Sequence, residues 1–294
     1  MTTQPVVYAV VTPARNEARR LETLGACLAA QSVPPGEWMI VDQGSDDETH
    51  AVARRLAGEN ARTRVIRLEK PPPQARGGPI VQALNAGISR LGARADVVAK
   101  VDADVSFEPD YFERLLAAFR SDSSLGMVSG ACYEEEDGTW IRRYGTGGSV
   151  WGAARAYRAA CLEDVLPFEE RMGWDGIDVV KAHLRGWTTT ALLDVPFRHH
   201  RPEGQRDGAR RRAWATQGRT AHYMGYRPSY LLARAFHRAR RDPAALALLW
   251  GYALAGARRE PRCADDAVRT FLREQQRIRH LGVRAREALG RPTA

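Results

Sequence analysis

The sequence predicts an α/β protein with a doubly wound, mostly parallel β-sheet flanked by helices, followed by a C-terminal helical extension. Two observations favour this class: short β-branched runs alternate with stretches of helical periodicity through residues 6–101, and a polar cluster follows several of the runs. The composition, 44% hydrophobic and 27% charged, is that of an ordinary globular protein and argues against disorder.

The predicted elements alternate along the chain. The strands are 6–11, 38–41, 63–68 and 96–101, and the helices between them are 16–30, 48–56 and 79–91. In doubly wound sheets, ligands bind beyond the carboxyl ends of the strands. The polar clusters at Thr12, Asp42 and Asp102 all stand at such ends, so we expect them to converge on one crevice.

The character of the chain changes after Gly208. Residues 210–219 are basic, 231–241 form a basic helix, 243–257 an apolar helix and 265–289 a long amphipathic helix. We therefore predict a domain of residues 1–225 and a helical extension of residues 226–294. The extension could pack on the domain, which is the simplest interpretation. It could instead lie on an anionic membrane that carries a lipid-linked acceptor, or form a homodimer face.

The formal net charge of +9 comes from 44 basic and 35 acidic residues, and much of the excess follows Arg198. Such an excess is compatible with nucleic acid, an anionic membrane or a phosphate-bearing substrate. No helix-turn-helix, zinc-finger or base-stacking pattern is present, so we do not expect a nucleic-acid partner.

The cysteines and the ends of the chain bear on its location. The four cysteines are scattered without CxxC spacing, which disfavours a zinc site or a disulfide framework and fits a reducing cytoplasm. The chain enters its first strand without a signal-peptide pattern, and the longest apolar stretch, 244–257, is too short to span a bilayer. We expect a cytoplasmic protein that at most rests on a membrane.

The central chemical motif is Asp102-Ala103-Asp104, which directly follows the apolar strand that contains Lys100. Two carboxylates separated by one residue at a strand end can share Mg²⁺ or Mn²⁺, which bind through oxygen ligands and substrate phosphates. The alternative is a solvated loop or the N-cap of a helix over 107–119. The position after a buried strand favours the metal site.

Four motifs in order resemble those of family 2 glycosyltransferases, which have the GT-A fold. They are VVTPARNE at 10–17, IVDQGSDDET at 40–49, ALNAGI at 83–88 and Asp102-Ala103-Asp104. The resemblance covers roughly the first 200 residues. It implies an inverting enzyme that uses Mn²⁺ or Mg²⁺ and a nucleoside-diphosphate sugar. The acceptor would be a hydroxyl of a polysaccharide, glycolipid or small-molecule glycoside.

The resemblance also implies which residues bind the donor. It places Pro13, Ala14, Glu17 and Asp42 on the nucleotide. Other motif residues expected at the donor site are Arg15, Gln43, Asn85, Lys100, Asp102 and Ala103. Gln43 stands where the family often has a second acid. This departure leaves the base preference open, because an amide donates as well as accepts hydrogen bonds.

A second acidic segment, GWDGID at 173–178, precedes a helix over 179–185. In the family, an acidic pair before such a helix supplies the general base, and this register gives Asp175, with Trp174 in place of the usual glutamate. Asp178 is the competitor. A partly desolvated site beside Trp174 would raise the basicity of Asp175. Alternatively, Asp175 caps the helix.

His199 and His200 follow a strand over 188–195, where related enzymes often have a histidine that completes the metal shell. The sequence favours neither, and we expect Arg201 near the diphosphate. Two flexible basic segments, Arg76-Gly77-Gly78 and 206–219, could close over the leaving diphosphate or remain solvated loops.

A nucleotidyltransferase that makes a nucleotide sugar is a second enzyme hypothesis, since it shares a related sheet and metal. Such an enzyme needs a glycine-rich phosphate loop after the first strand. The segment TPARNE at 12–17 contains no glycine, which disfavours this hypothesis.

Overall fold

The computed structural model describes residues 6–70, 77–92, 95–143, 150–201, 210–240, 242–277, 280 and 282. The chain divides into two compact units, Met1–Arg201 and Pro202–Ala294. The first unit is α/β and the second is helical.

Nine strands of the described residues form one sheet. They are β1 (Tyr8–Ala14), β2 (Glu37–Asp42), β3 (Thr63–Arg67), β4 (Val97–Val101), β5 (Val105–Phe107), β6 (Leu125–Glu136), β7 (Thr139–Arg142), β8 (Ala154–Arg158) and β9 (Thr188–His199). The helices of the first unit are α1 (Ala18–Ala29), α2 (Thr49–Glu59), α3 (Gly78–Ile88), α4 (Tyr111–Ser121), α5 (Ala159–Val165) and α6 (Trp174–Leu184).

The strand order is β3-β2-β1-β4-β8-β6-β9-β5, with β7 paired to β6. β1 pairs in parallel with both β2 and β4, β2 with β3, and β6 with β9. β5, β7 and β8 run in the opposite direction to their neighbours. The predicted α/β class with a mostly parallel sheet is therefore confirmed.

Apolar side chains of the strands cover both faces of the sheet. Successive residues of a strand point to opposite faces, so Tyr8 and Val10 pack with the leucines of α1 and with the aromatic face of α4. Ala9 and Val11 pack on the other face, with α3, α5 and α6. The result is a three-layer arrangement with helices on both sides.

Gly87 explains part of the ALNAGI motif. A Cβ atom at this position would lie 2.4 Å from Cγ1 of Val11 and 3.0 Å from Cγ2 of Val41. The absence of a side chain lets α3 lie against β1 and β2.

The structure corrects the capping alternative for Asp102-Ala103-Asp104. The segment that follows is not the start of a helix over 107–119. Residues Val105–Phe107 form β5, which pairs antiparallel with β9, and α4 begins only at Tyr111. Asp102 and Asp104 thus lie in the short connection between two strands.

The second unit contains α7 (Arg210–Tyr223), α8 (Pro228–Ala239), α9 (Ala247–Ala257) and α10 (Asp266–Gln275), with a 3₁₀ turn at Pro243–Leu246. Its core includes Ala221, Leu231, Ala235 and Leu248. None of the helices described is long and apolar enough to cross a bilayer. Most of the predicted helix beyond Gln275 lies outside the described residues.

α7 and α9 cross at two glycines. A Cβ at Gly218 would lie 2.0 Å from the carbonyl oxygen of Leu248, and a Cβ at Gly251 would lie 1.9 Å from that of Ala215. Because this crossing ties α7 to the helical unit, the division falls at Arg201/Pro202, earlier than the predicted boundary near Tyr226. The expectation of a flexible segment over 206–219 is wrong from Arg210 onward, where the chain is helical.

We predict that Gly251→Ala destabilises the second unit by about 1–3 kcal/mol, because the added methyl group must push two helix backbones apart. Gly256→Ala, in the same helix, is the matched control. Its Cβ would meet only His222, at 3.8 Å, so the change should be neutral or slightly stabilising. Urea unfolding of both variants measures the difference. Equal midpoints would contradict the tight crossing.

Candidate active site

The turns that follow β1 and β2 interlock at the carboxyl edge of the sheet. The backbone N–H of Gln43 donates to the Ala14 carbonyl at 2.9 Å, and the backbone N–H of Asn16 donates to Oγ of Ser45 at 3.1 Å. Asn16 has a left-handed φ of 55°, and its Oδ1 accepts from the Asp46 amide at 2.9 Å. The first two predicted polar clusters therefore form one wall.

Asp42 is fully buried inside this wall. Its Oδ1 accepts from the Ser45 amide at 3.0 Å, and its Oδ2 lies 3.1 Å from Nδ1 of His50 and 3.3 Å from Nε of Arg67. His50 and Arg67 flank the carboxylate on the side of Oδ2. Asp42 thereby holds the turn in place.

The other residues expected at the donor site differ in exposure. Pro13, Ala14 and Ala103 are buried, whereas Arg15 and Asn85 are partly exposed. Gln43 is buried, and its Nε2 donates to the carbonyl of Pro79 at the start of α3, at 2.6 Å. Arg76 lies outside the described residues.

Lys100 is buried on β4 and bound to the first acid of the central motif. Its Nζ lies 2.7 Å from Oδ1 of Asp102 and donates to the carbonyl of Gly152 at 2.6 Å. The Asp102 side chain is 28% exposed, the more accessible of the two acids. Lys100 therefore orients Asp102.

Asp104 lies beside His199 because Val105 of β5 pairs with His199 of β9. Oδ1 of Asp104 is 3.5 Å from Nε2 of His199, and Oε1 of Glu134 on β6 is 3.2 Å from Nδ1 of the same ring. Burial alone would lower the pKa of His199, but the hydrogen bonds to Asp104 and Glu134 raise its pKa to about 9.

His200 follows the last residue of β9, and its side chain contacts other residues than those around His199. Its Nε2 is 2.8 Å from Oγ of Ser106, and its ring contacts Trp140 edge-on. Burial lowers the pKa of His200. Of the two candidate histidines, the structure places His199 next to the central motif.

Arg201 connects the wall formed by the turns after β1 and β2 to the Asp102-Ala103-Asp104 motif. Its Nη2 donates to both carboxylate oxygens of Glu17, at 2.6 and 2.7 Å, and its Nε lies 3.8 Å from Oδ2 of Asp104. Glu17 is buried and also pairs with Arg20. The third predicted cluster is thereby connected to the other two, which confirms that the three strand ends converge.

Asp175 lies beside Gly152, the residue whose carbonyl accepts from Lys100. It is exposed in the first turn of α6, and a Cβ at Gly152 would lie 3.0 Å from its Oδ2. The N-cap residue of α6 is Gly173, so the capping interpretation of Asp175 is wrong. The expected desolvation of Asp175 is also not found, because its side chain is exposed, whereas the Trp174 ring is buried against Phe168.

Asp178, the competing acid, is buried in an ion pair. Nη1 of Arg155 lies 2.8 and 2.6 Å from its two oxygens, and the Tyr157 hydroxyl donates to Oδ2 at 2.6 Å. Burial raises the pKa of Asp178 despite the facing guanidinium. Arg155 also donates to the carbonyls of Val150 and Asp175, so the network fixes the start of α6.

Several residues near the site were not predicted from the sequence, because no strand or helix was predicted over residues 120–172. Glu134 is the most important of them, and its oxygen lies with Sγ of Cys132 and a ring nitrogen of His199 in a group whose members are all within 4.8 Å. Arg155 and Gly152 were also missed. Residues 132 and 134 share a strand face, but no local pattern indicated that this strand faces His199.

Comparisons with known proteins identify related chains. Residues 9–232 match the family described as "Glycosyl transferase family 2". The succinoglycan biosynthesis protein ExoA of Rhizobium meliloti (strain 1021) is 34% identical over 108 residues, which cover 36% of this chain and 31% of that protein. The matched segments span less than a third of the length of the curated relatives.

Solved structures share the fold. The mannosyltransferase PcManGT from Pyrobaculum calidifontis, in complex with GDP-Man and Mn²⁺, superposes with a TM-score of 0.58 at 20% identity, covering 98% of this chain and 88% of that one. Glucosyl-3-phosphoglycerate synthase from Mycobacterium tuberculosis, with Mn²⁺, UDP and glucosyl-3-phosphoglycerate, gives 0.52 at 15% identity, covering 74% and 79%. These likenesses confirm the GT-A fold.

The two acids of α6 should respond differently to loss of charge. We predict that Asp178→Asn costs about 3–5 kcal/mol of stability, because it leaves the Arg155 charge buried without a counter-charge. Asp175→Asn should cost less than about 1 kcal/mol, since it removes only an exposed charge near a helix N-terminus. Thermal unfolding of both variants tests this, and a similar loss of Tm would contradict the assignment.

Proposed function

Because the chain belongs to glycosyl transferase family 2, we propose that it moves a sugar from a nucleoside-diphosphate sugar to an acceptor hydroxyl, with a divalent cation and with inversion at the anomeric carbon. The chain is a glycosyltransferase; the cation, the inversion and the residue roles are the proposal. The observation that carries it is the placement of His199 beside Asp104 in the Asp102-Ala103-Asp104 motif, with exposed Asp175 next to Gly152, the residue that Lys100 contacts.

Asp102, Asp104 and His199 are the residues that would hold the cation. Carboxylate oxygens and an imidazole nitrogen suit Mn²⁺, and the more exposed Asp102 leaves room for phosphate oxygens to complete the shell. A bound cation would supply positive charge that stabilises the departing nucleoside diphosphate. The relatives PcManGT and glucosyl-3-phosphoglycerate synthase hold Mn²⁺ in their solved complexes, which supports the same choice here.

Glu134 positions the proposed histidine ligand. Its oxygen faces Nδ1 of His199, so in the proposed site the Nδ1–H donates a hydrogen bond to Glu134 and Nε2 is directed at Asp104. A carboxylate behind a metal-bound imidazole fixes both the tautomer and the ring orientation. Arg143 in turn holds Glu134, through a contact of 2.7 Å from its Nε.

Asp175 is the proposed general base. Its carboxylate is exposed beside Gly152, whereas both oxygens of Asp178 are already bound to Arg155 and Tyr157. Only an accessible carboxylate can take the proton of an entering acceptor hydroxyl as the oxygen attacks the anomeric carbon. Such a displacement on the face opposite the leaving group inverts that carbon.

Arg201 supports the donor site by orientation. Its guanidinium is held by both oxygens of Glu17, so it links the wall formed by the first two turns to Asp104. In this proposal the nucleotide lies against that wall, with partly exposed Arg15 and Asn85 at its margin. Arg201 contributes positive charge close to the diphosphate while it keeps its hydrogen bonds to Glu17.

The cation site is tested by thermal shift with Mn²⁺ and either UDP or GDP. We expect one nucleotide to raise the Tm only when Mn²⁺ is present; at a ligand concentration of 100 times Kd the stabilisation is about 2.7 kcal/mol. His199→Ala should weaken Mn²⁺ affinity by about tenfold or more. His200→Ala is the matched control, because its ring faces Ser106, and should keep the wild-type shift. Equal effects of the two changes would refute the assignment of His199.

The base is tested by the rate at which UDP-glucose or GDP-mannose releases its nucleoside diphosphate. We expect Asp175→Asn to lower kcat by about 10²–10⁴-fold with little change in donor affinity, since the carboxylate acts on the attacking oxygen. Asp137→Asn, an exposed acid in the turn between β6 and β7, is the control. Near-normal turnover in Asp175→Asn, or retention of anomeric configuration by ¹H NMR, would contradict the mechanism.

A further inference from the structure

The positive charge of the chain is concentrated in the helical unit. Residues 202–294 contain 20 arginines and 8 acidic residues, whereas residues 1–201 contain 24 basic and 27 acidic residues. The helical unit therefore carries a formal charge of +12 and the α/β unit −3, which together give the +9 of the whole chain. The proposed transfer site lies in the α/β unit and does not account for this charge.

Two exposed apolar side chains lie beside arginines in the helical unit. Trp250 is 65% exposed and Leu246 is 44% exposed. Together with the exposed Arg211 and Arg212 they line an open cavity of about 560 Å³, whose remaining walls are Ala215, Pro243, Ala244 and Ala247. We call this the Trp250 surface. A single exposed leucine is ordinary. Here a tryptophan, a leucine and two arginines line one apolar groove, so the surface combines apolar and positively charged groups.

The backbone beneath the Trp250 surface is closely packed. Trp250 immediately precedes Gly251, whose contact with Ala215 sets the crossing of α7 and α9, and Arg211 and Arg212 lie one turn before Ala215. The indole nitrogen of Trp214 donates to Oδ2 of Asp242 at 2.8 Å. Asp242 also accepts from the Ala244 amide at 3.0 Å. The groove is thus formed by helices that pack closely against each other.

We propose that the Trp250 surface binds an anionic membrane surface. Tryptophan and leucine bury their apolar parts at the boundary between headgroups and acyl chains, while guanidinium groups pair with lipid phosphates. The charge of the unit complements an anionic leaflet. In a two-fold self-pairing through this surface, by contrast, Arg211 and Arg212 of one copy would approach the same arginines of the other.

The experiment is flotation of the purified chain with lipid vesicles. We expect co-flotation with vesicles of phosphatidylcholine and phosphatidylglycerol, weaker binding to phosphatidylcholine alone, and loss of binding at high salt. The double variant Trp250→Ser/Leu246→Ser should weaken binding roughly tenfold or more, because burying side chains of this size is worth at least that factor. Arg211→Ala/Arg212→Ala should also weaken it roughly tenfold or more, and Trp250→Phe should retain binding.

The matched control carries Leu193→Ser and Arg54→Ala, which remove an exposed leucine and an exposed arginine from the α/β unit. It should bind vesicles like the wild type. No flotation of the wild type with anionic vesicles overturns the proposal, as does equal binding by the wild type and both surface variants. Dimerisation in light scattering that Trp250→Ser abolishes, without vesicle binding, would assign the surface to a second copy. These outcomes leave the transferase assignment unaffected.

Discussion

The parallel pairing of β1 with both β2 and β4 is the constraint on which the site depends. It brings three strand ends to one edge, where the turns after β1 and β2 bind each other and the connection after β4 carries Asp102 and Asp104. In open α/β sheets, ligands bind in the crevice beyond the carboxyl ends of the parallel strands. Arg201 then bridges Glu17 to Asp104 and so connects the turns after β1 and β2 to the proposed cation site.

The aspartates around the site fall into two groups, those that are buried and those that are accessible to solvent. Asp42 and Asp178 are fully enclosed and bound by positively charged or hydrogen-bonding partners, so their charges support the fold. Asp102 and Asp175 retain access to solvent, which is why the proposed mechanism assigns them the cation and the general base. A buried ion pair adds little net stability, but removal of one partner is costly. The Arg155–Asp178 pair is therefore best understood as a fixed support beneath Asp175.

Much of the first unit was predictable, because its strands are apolar runs and its motifs stand at strand ends. The sequence could not choose between His199 and His200, since the choice depends on the pairing of Val105 with His199 across the sheet. Nor could it foresee the burial of Asp42, which results from Arg67 on β3 and His50 on α2. Glu17 meets Arg201 from 184 residues away in the chain. Each of these outcomes is set by long-range packing, whereas local periodicity reports only the element itself.

The central claim is that Asp102, Asp104 and His199 share a cation with the diphosphate of the donor. Anomalous diffraction at the manganese edge, from crystals soaked with Mn²⁺ and with UDP or GDP, tests this claim directly. The account predicts one peak within coordination distance of Asp104 and His199, with Asp102 and a phosphate oxygen adjacent. A bound nucleotide without such a peak, or a peak held only by Cys132, Glu134 and His199, would contradict it.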